Sequence, residues 1–167
     1  HGSVLTFVGN SPLNLPFPIH RIAYNDTNAA VELINKLGAS LAAVLIEPMI
    51  GAGGCIPATT EFLHGLRTAT EASGPLLIFD EVITGFGRCG AMTGSDAFGV
   101  VPDILNVAKQ ITNGAIPMGA VIATDDIYQT FMAHGGPEYA LEFPHGYTYS
   151  AHPVACAAAI AALDVLV

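Results

Sequence analysis

The sequence is poor in basic residues and in charge of either sign. Its 167 residues include 14 acidic but only 5 basic side chains, a net charge of −9, and charged residues make up only 11% of the chain. A nucleic-acid-binding protein needs a basic surface to neutralise phosphates, so the composition argues against that class. The 51% hydrophobic content predicts one compact domain with an extensive core.

Long hydrophobic runs are also missing. The longest, Val154 to Leu163, is about half of the ~20 residues needed to cross a bilayer, and it is rich in alanine. It therefore predicts a buried helix rather than a membrane span. The first residues, His1 to Val4, show neither the charged nor the apolar region of a secretion signal.

Cysteines are few and widely spaced. Cys55, Cys89 and Cys156 form no C-x-x-C pair, so the sequence predicts neither a disulfide framework nor a zinc cluster. A reducing, cytoplasmic setting fits this pattern, with the mitochondrial matrix as the alternative. The six histidines, His145 and His152 among them, lack the close spacing of metal ligands, and each is interpreted as a hydrogen-bonded structural imidazole. No metal site is expected.

Apolar residues recur at helical spacing in several segments. The first runs from Thr27 to Leu37, with Asp26 or Thr27 as its N-cap and Gly38 as its stop. The second runs from Thr60 to Ser73, with Phe62, Leu63, Leu66 and Ala69 facing inward and Gly74-Pro75 ending it. Two more helices are predicted at 125–131 and 153–167, the latter with Pro153 in its first turn.

Short continuous apolar runs predict strands at 41–46, 76–79, 104–107 and 118–123, and a short strand at 4–8. The 41–46 run has the pattern of a strand buried on both faces of a parallel sheet. Strand, helix and strand joined by short connections form a parallel β-α-β crossover. The expected fold class is therefore α/β, a mostly parallel sheet with flanking helices. Ligands gather at the carboxyl ends of such strands, where Asp80 lies.

The chain contains only two lysines, and their surroundings differ. Lys36 lies near the C-terminal end of an amphipathic helix, where a solvated cation is favourable. Lys109 follows an apolar strand and precedes a loop that contains glycine and proline. A desolvated lysine in that place can act as a Schiff-base nucleophile, although a lysine after a strand is more often simply solvated.

Asp80 and Glu81 leave three interpretations open: a metal site, an acid–base pair, or a helix cap with a loop charge. Neighbouring residues of an extended chain point to opposite faces, so the two carboxylates are not expected to share one proton or one ion. The glycine loop at 51–54 lacks the dinucleotide fingerprint and the P-loop lysine, which disfavours a nucleotide-binding oxidoreductase. The pattern G-x-S-x-G is absent too, which removes support for a serine hydrolase.

Four ordered segments carry a resemblance. They are Leu77-Ile-Phe-Asp-Glu-Val-Ile-Thr-Gly-Phe-Gly-Arg88, Pro102-Asp-Ile-Leu, Ala108-Lys-Gln-Ile-Thr-Asn-Gly-Ala-Ile-Pro-Met-Gly119 and His145-Gly-Tyr-Thr-Tyr-Ser-Ala-His-Pro153. In order and spacing they resemble the class III (omega) aminotransferases. The likeness extends to Glu47-Pro48 and the glycine loop, and His1-Gly2 is similar to the end of the family's Tyr-His-Gly segment.

The resemblance implies a fold type I large domain that binds pyridoxal 5'-phosphate. It makes Lys109 the Schiff-base lysine and Asp80 the partner of the pyridine nitrogen, with Val82 against the ring face. Thr148 matches the threonine that reaches the cofactor phosphate of the neighbouring subunit. The implied reaction moves an amino group from an amine or omega-amino acid to a 2-oxo acid such as pyruvate, in a homodimer with shared active sites.

The sequence departs from the family at two positions and in length. Ala52 stands where many glutamate-using members carry a second glutamate, which favours pyruvate-type acceptors, and Ile83 stands where many carry glutamine. Residues 1–167 correspond to the central part of the large domain, so the N-terminal segment and the C-terminal small domain are expected to be absent. A companion chain, internal transfer like that of glutamate-1-semialdehyde aminomutase, and a non-catalytic fragment remain alternatives.

Overall fold

The computed structural model describes residues 18–137, 139 and 142–166, so the strand expected at 4–8 and the His1-Gly2 segment lie outside the described residues. The described residues contain six strands: β1 Ala43–Ile46, β2 Met49–Ile50, β3 Ile56–Pro57, β4 Leu76–Glu81, β5 Ile104–Ala108 and β6 Gly119–Ala123. Four of them form one sheet in the order β1-β4-β5-β6. The first three strands of this sheet run parallel, and β6 pairs antiparallel with β5.

In the part of the chain that the structure describes, five α-helices accompany the strands: α1 Thr27–Leu37, α2 Thr60–Ser73, α3 Gly94–Phe98, α4 Asp125–His134 and α5 Pro153–Leu166. The Asp26 side chain caps α1 by accepting a hydrogen bond from the Ala29 amide, and Thr59 caps α2 in the same way through the Phe62 amide. Gly74 ends α2 in the left-handed conformation that glycine adopts without strain. The bounds of α1 and α2 match the sequence-based predictions.

The helix α2 connects β1 to β4, which confirms the predicted parallel β-α-β crossover. Its buried residues join Leu77 and Phe79 of β4, both 0% exposed, in the main core cluster with α1. The predicted fold class, a mostly parallel sheet with flanking helices, is therefore confirmed.

Two burial predictions are wrong. The strand β1 is shorter than expected, and only its alternate residues Val44 and Ile46 are buried, because the core with α1 and α2 covers one face. The helix α5 buries only a stripe of small residues, Ala155 and Ala159, while Ile160 is 61% exposed. A continuous apolar run does not reveal which side of a helix meets a neighbour.

Three smaller features complete the fold. The strands β2 and β3 pair antiparallel, and residues 51–54 form the turn between them, as expected for the glycine loop. The helix α4 extends to His134, three residues beyond its predicted end. Within the described parts of the chain, none of the helices is long and apolar enough to cross a membrane.

Candidate active site

The carboxyl ends of β4 and β5 bring the two principal candidate residues to the same edge of the sheet. Asp80 is the penultimate residue of β4 and pairs in register with Asn106 of β5. Lys109 follows the last residue of β5 directly. Because parallel strands end on the same side of a sheet, both side chains belong to the edge where α/β proteins bind ligands.

Asp80 is buried, with 6% of its surface exposed. Its Oδ1 accepts a hydrogen bond of 3.1 Å from the backbone amide of Val82, in the turn that follows β4. This local bond holds the carboxylate against its own backbone and so restricts its rotation. Val82 itself is half-buried at the start of that turn.

Lys109 has an unusual backbone. Its φ of +47° lies in the left-handed region, which costs a non-glycine residue free energy. Within the tight loop predicted after β5, the segment Lys109–Thr112 is a 3-10 helix, and the Gly114 amide donates to the Lys109 carbonyl at 3.1 Å. The side chain is exposed. Across the described residues no carboxylate lies within ion-pair distance of its amine.

Glu81 has a different environment from Asp80, although the two are adjacent. It is 0% exposed, and its carboxylate accepts hydrogen bonds from the Gly94 amide, from the Ser95 amide at 2.7 Å and from the Thr84 hydroxyl at 3.1 Å. Gly94 and Ser95 are the first residues of α3. Of the interpretations left open by the sequence, the helix cap is therefore the one that the structure supports for Glu81.

Thr148 lies between α4 and α5 along the chain. It is exposed in a turn before α5, in which the Ser150 amide donates to the Tyr147 carbonyl at 2.9 Å. This turn and residues 116–119 line a cavity of about 520 Å³. Neither Lys109 nor Asp80 lines that cavity, although its lining residue Gly119 pairs with Ala108, the residue before Lys109.

His152, at the same turn, contradicts one prediction. Its Nδ1 is buried and has no hydrogen-bond partner within the described residues, so it is not the satisfied structural imidazole that we expected. The sequence carried no signal of this, because the position of the ring depends on the turn that precedes α5. As for metal ions, no group of three or more His, Cys, Asp or Glu side chains among the described residues has the arrangement to hold one.

Glu47 organises the carboxyl end of β1. Its Oε2 accepts a hydrogen bond of 3.1 Å from the Gly51 amide, and its carbonyl accepts one of 2.8 Å from the Tyr24 hydroxyl. Ile83 packs against Gly51, where an added Cβ would lie 2.3 Å from its Cδ1. Ala52 is exposed beside it. Ala52 and Ile83, the two positions at which the sequence departs from the family pattern, therefore belong to the same corner of the fold.

Comparison with known proteins identifies the class of protein. Residues 8–167 match the family "Aminotransferase class-III". A beta-alanine–pyruvate aminotransferase of Pseudomonas aeruginosa is 56% identical over 81% of this chain and 32% of its own length. An omega-amino acid–pyruvate aminotransferase of Pseudomonas putida is 60% identical over 76% of this chain and 28% of its own. The chain belongs to the class III aminotransferase family.

The structural comparison agrees. An amine transaminase from an uncultivated Pseudomonas species, solved in its PLP-bound form, superposes with a TM-score of 0.76 and 45% identity over 84% of this chain and 31% of that one. The fold is therefore that of the fold type I transaminases. The chain spans about a third of the length of the curated relatives that it matches.

Proposed function

We propose that the protein takes part in pyridoxal-phosphate-dependent transamination, moving an amino group from an amine or omega-amino acid to a 2-oxo acid such as pyruvate. One structural observation carries the proposal: a buried carboxylate, Asp80, and an exposed amine, Lys109, stand at the same edge of one sheet. Membership of the family and the names of the two Pseudomonas relatives support the substrate class.

The chemistry of these side chains suits the cofactor. A carboxylate stabilises a neighbouring cation, so Asp80 would keep the pyridine nitrogen protonated. The hydrogen bond from the Val82 amide aims that carboxylate, and the Val82 side chain would pack against the ring. The Lys109 amine, with no carboxylate partner among the described residues, is available to bond covalently to an aldehyde.

When bound, pyridoxal phosphate supplies an electron-withdrawing ring that stabilises negative charge on the substrate carbon. The Lys109 Nζ would then act as a general base that takes the proton from that carbon. It would next act as a general acid that donates the proton to the C4′ carbon of the cofactor. Thr148 is exposed on its turn, and its hydroxyl would donate a hydrogen bond to a phosphate held by a neighbouring subunit.

The wider assembly forms part of the proposal. We propose that residues 1–167 act as the central part of a cofactor-binding large domain, in a homodimer with shared active sites or beside a companion chain, and in the cytoplasm. Ala52 favours pyruvate-type over glutamate-linked acceptors. The exposed apolar residues of β6, Val121 at 70% and Ile122 at 49%, are consistent with a covering chain.

The test is covalent labelling of the protein as expressed. Pyridoxal phosphate is added, borohydride reduces the bond to the lysine, and peptide mass spectrometry locates the label. We expect the label on Lys109, none in Lys109→Ala, and unchanged labelling in Lys36→Ala, since Lys36 lies on α1. A label on Lys36 alone, or no label on either lysine, would contradict the proposal.

A second measurement concerns the reaction. An amine donor with pyruvate should give alanine, whereas an enzyme of internal amino transfer would turn over its substrate without added acceptor. Labelling of Lys109 without any transfer to pyruvate would leave the cofactor assignment standing and overturn the substrate assignment.

A further inference from the structure

The segment between β4 and α3 is a closed loop, and Glu81 joins its two ends. The loop covers residues 82–93, and it begins after the last residue of β4 and ends before the first residue of α3. From β4, the Glu81 side chain reaches the Gly94 and Ser95 amides, and its own carbonyl accepts from the Gly85 amide at 3.0 Å. This closed segment is called the 82–93 loop below.

The loop also closes on itself. The Phe86 amide donates to the Met92 carbonyl at 2.6 Å, and the Gly87 amide donates to the Ala91 carbonyl at 3.1 Å. Phe86 has a φ of +57°, which a residue with a side chain adopts only when its surroundings hold it there. Two internal bonds and the Glu81 contacts thus restrict a loop that would otherwise be free to move.

The Glu81 carboxylate is suited to this place by its charge. Three donors meet it in a site without solvent exposure, and hydrogen bonds to an ionised acceptor are about twice as strong as neutral ones. In Glu81→Gln, an NH2 group would replace one of the two acceptor oxygens and would face a backbone N–H. That buried N–H would then have no acceptor.

The fit is also tight in space. A Cβ on Gly94 would lie 3.0 Å from Glu81 Oε2, 3.1 Å from Thr84 Oγ1 and 3.2 Å from Pro48 Cβ. The N-terminus of α3 can therefore approach the carboxylate only because residue 94 has no side chain. Thr84, 1% exposed, is held in the same cluster.

The connection to the proposed site runs through one residue. Val82 is the first residue of the 82–93 loop and directly follows the buried Glu81, and its amide donates to Asp80 Oδ1 at 3.1 Å. The position of this amide depends on the turn after β4. Two other residues of that turn bond to Glu81: the Thr84 hydroxyl donates to its carboxylate, and the Gly85 amide donates to its carbonyl. If the turn moves, the hydrogen bond from the Val82 amide to Asp80 is lost.

We propose that Glu81 is a positioning residue: by closing the 82–93 loop onto α3 it fixes the Val82 amide and thereby the direction of the Asp80 carboxylate. The expected effect on the cofactor rests on the proposed function, in which Asp80 faces the cofactor. Its structural part, the coupling of Glu81 to the Val82 amide, stands on the hydrogen bonds alone.

The first test needs no cofactor. Hydrogen exchange of the Val82 amide is measured by NMR in Glu81→Gln and in the control Thr93→Ala. The control removes the other cap of α3, in which the Asp96 amide donates to Thr93 Oγ1 at 3.0 Å without contacting Glu81. We expect exchange at Val82 to rise about tenfold in Glu81→Gln and to stay within about twofold of the unchanged protein in Thr93→Ala.

Equal exchange at Val82 in the two variants would overturn the proposal, since it would reduce Glu81 to an ordinary helix cap. If Glu81→Gln does not fold, the same exchange measurement on Thr84→Val tests the proposal. This variant removes only the 3.1 Å hydroxyl bond to Glu81 in an isosteric side chain, and it should raise Val82 exchange about threefold. No rise in Thr84→Val would also overturn the proposal.

The second test measures the absorbance of the bound cofactor. With pyridoxal phosphate bound, the pH midpoint of its visible absorbance should shift in Glu81→Gln but not in Thr93→Ala, because only the former loosens Asp80 beside the ring. An unshifted midpoint in a folded Glu81→Gln protein would overturn the role at the site. If the unchanged protein takes up no cofactor at Lys109, the proposed function fails while the exchange result still decides the coupling.

Discussion

Asp80 and Glu81 are neighbours in sequence, yet their carboxylates serve different parts of the molecule. Asp80 bonds to the Val82 amide at the edge of the sheet, while Glu81 lies on the strand face of Leu77 and Phe79 and receives the first amides of α3. The alternation of side chains along β4 separates them. The Asp80 carboxylate therefore bonds within the turn after β4, whereas the Glu81 carboxylate joins the end of β4 to the start of α3.

Replacing Asp80 by Asn tests the ligand-facing carboxylate. The amide oxygen can still accept from the Val82 amide, so the fold should persist, but the negative charge is lost. We expect transamination to fall by about 100-fold or more, the scale for removing a preorganised electrostatic partner. Turnover and circular dichroism measured on the same samples check both parts. Activity within a few fold of the unchanged protein would contradict the role of Asp80.

The ion pair between Arg67 and Asp103 joins α2 to the sheet. Asp103 Oδ2 accepts from the Arg67 guanidinium at 3.0 Å and from the Leu77 amide at 2.6 Å. Asp103→Ala leaves both donors without this acceptor and should cost about 3 kcal/mol of unfolding free energy. Chemical denaturation followed by circular dichroism measures the difference.

The matched control for this pair is Glu71→Ala. Glu71 is 65% exposed, and its contact with Arg67 Nε at 3.0 Å lacks hydrogen-bond alignment. Its loss should cost less than about 0.5 kcal/mol. If Asp103→Ala and Glu71→Ala lower the unfolding free energy equally, the hydrogen bond from the buried Leu77 amide to Asp103 does not contribute to stability.

Tyr24 predicts a dependence of stability on alkaline pH. Burial raises the pKa of its phenol, an effect that the Ile50 backbone partly offsets and the Glu47 charge reinforces. Above pH ~10 the unfolded chain releases this proton while the folded protein keeps it, so stability is complete below that pH and is lost as pH rises. In Tyr24→Phe the decline above pH 10 should be shallower by up to ~1.4 kcal/mol per pH unit.

Near neutral pH the same variant should lose about 1 kcal/mol, because the hydrogen bond from Tyr24 to the Glu47 carbonyl is gone. Tyr128→Phe, at a position 56% exposed, is the control and should change neither quantity. Denaturant unfolding between pH 7 and 11 gives both numbers. A decline in Tyr24→Phe as steep as in the unchanged protein would contradict the assignment.

Cysteine reactivity reports on the environment of Glu81. Burial, assisted by the Glu81 charge and opposed by Arg88, raises the pKa of the Cys89 thiol, so at pH 8 less of it is thiolate. We expect iodoacetamide to label the exposed Cys55 several-fold faster than Cys89, as followed by peptide mass spectrometry. In concentrated urea the two rates should converge. Faster labelling of Cys89 in the folded protein would exclude this environment.

Sequence reasoning located most elements because their signals are local. Asp26 and Gly38 bound α1, and Thr59 and Gly74 bound α2, each by side-chain or backbone properties of one residue. It missed α3, although Thr93 and Asp96 form a capping box that could have revealed it, because five residues give too little apolar periodicity. It also missed the pairing of β2 with β3, which are two residues each.

The candidate site was only partly accessible from the sequence. Lys109 and Asp80 were identified by their positions after apolar runs and by the family motifs, and their roles remain predictions. Three features could not be predicted: the left-handed backbone of Lys109, the burial of Glu81, and the His152 Nδ1 that has no hydrogen-bond partner among the described residues. Each depends on contacts between segments that are distant along the chain.

By itself the sequence determined the α/β class, the parallel crossover and the family, because apolar periodicity, helix caps and ordered motifs depend on residues that are close together along the chain. Only the tertiary structure decided which of two adjacent carboxylates is a structural acceptor. The same pair of letters, Asp80-Glu81, is ambiguous until Gly94 and Ser95 of α3 approach β4. A buried charge takes its role from the donors around it, and those donors come together only when the chain folds.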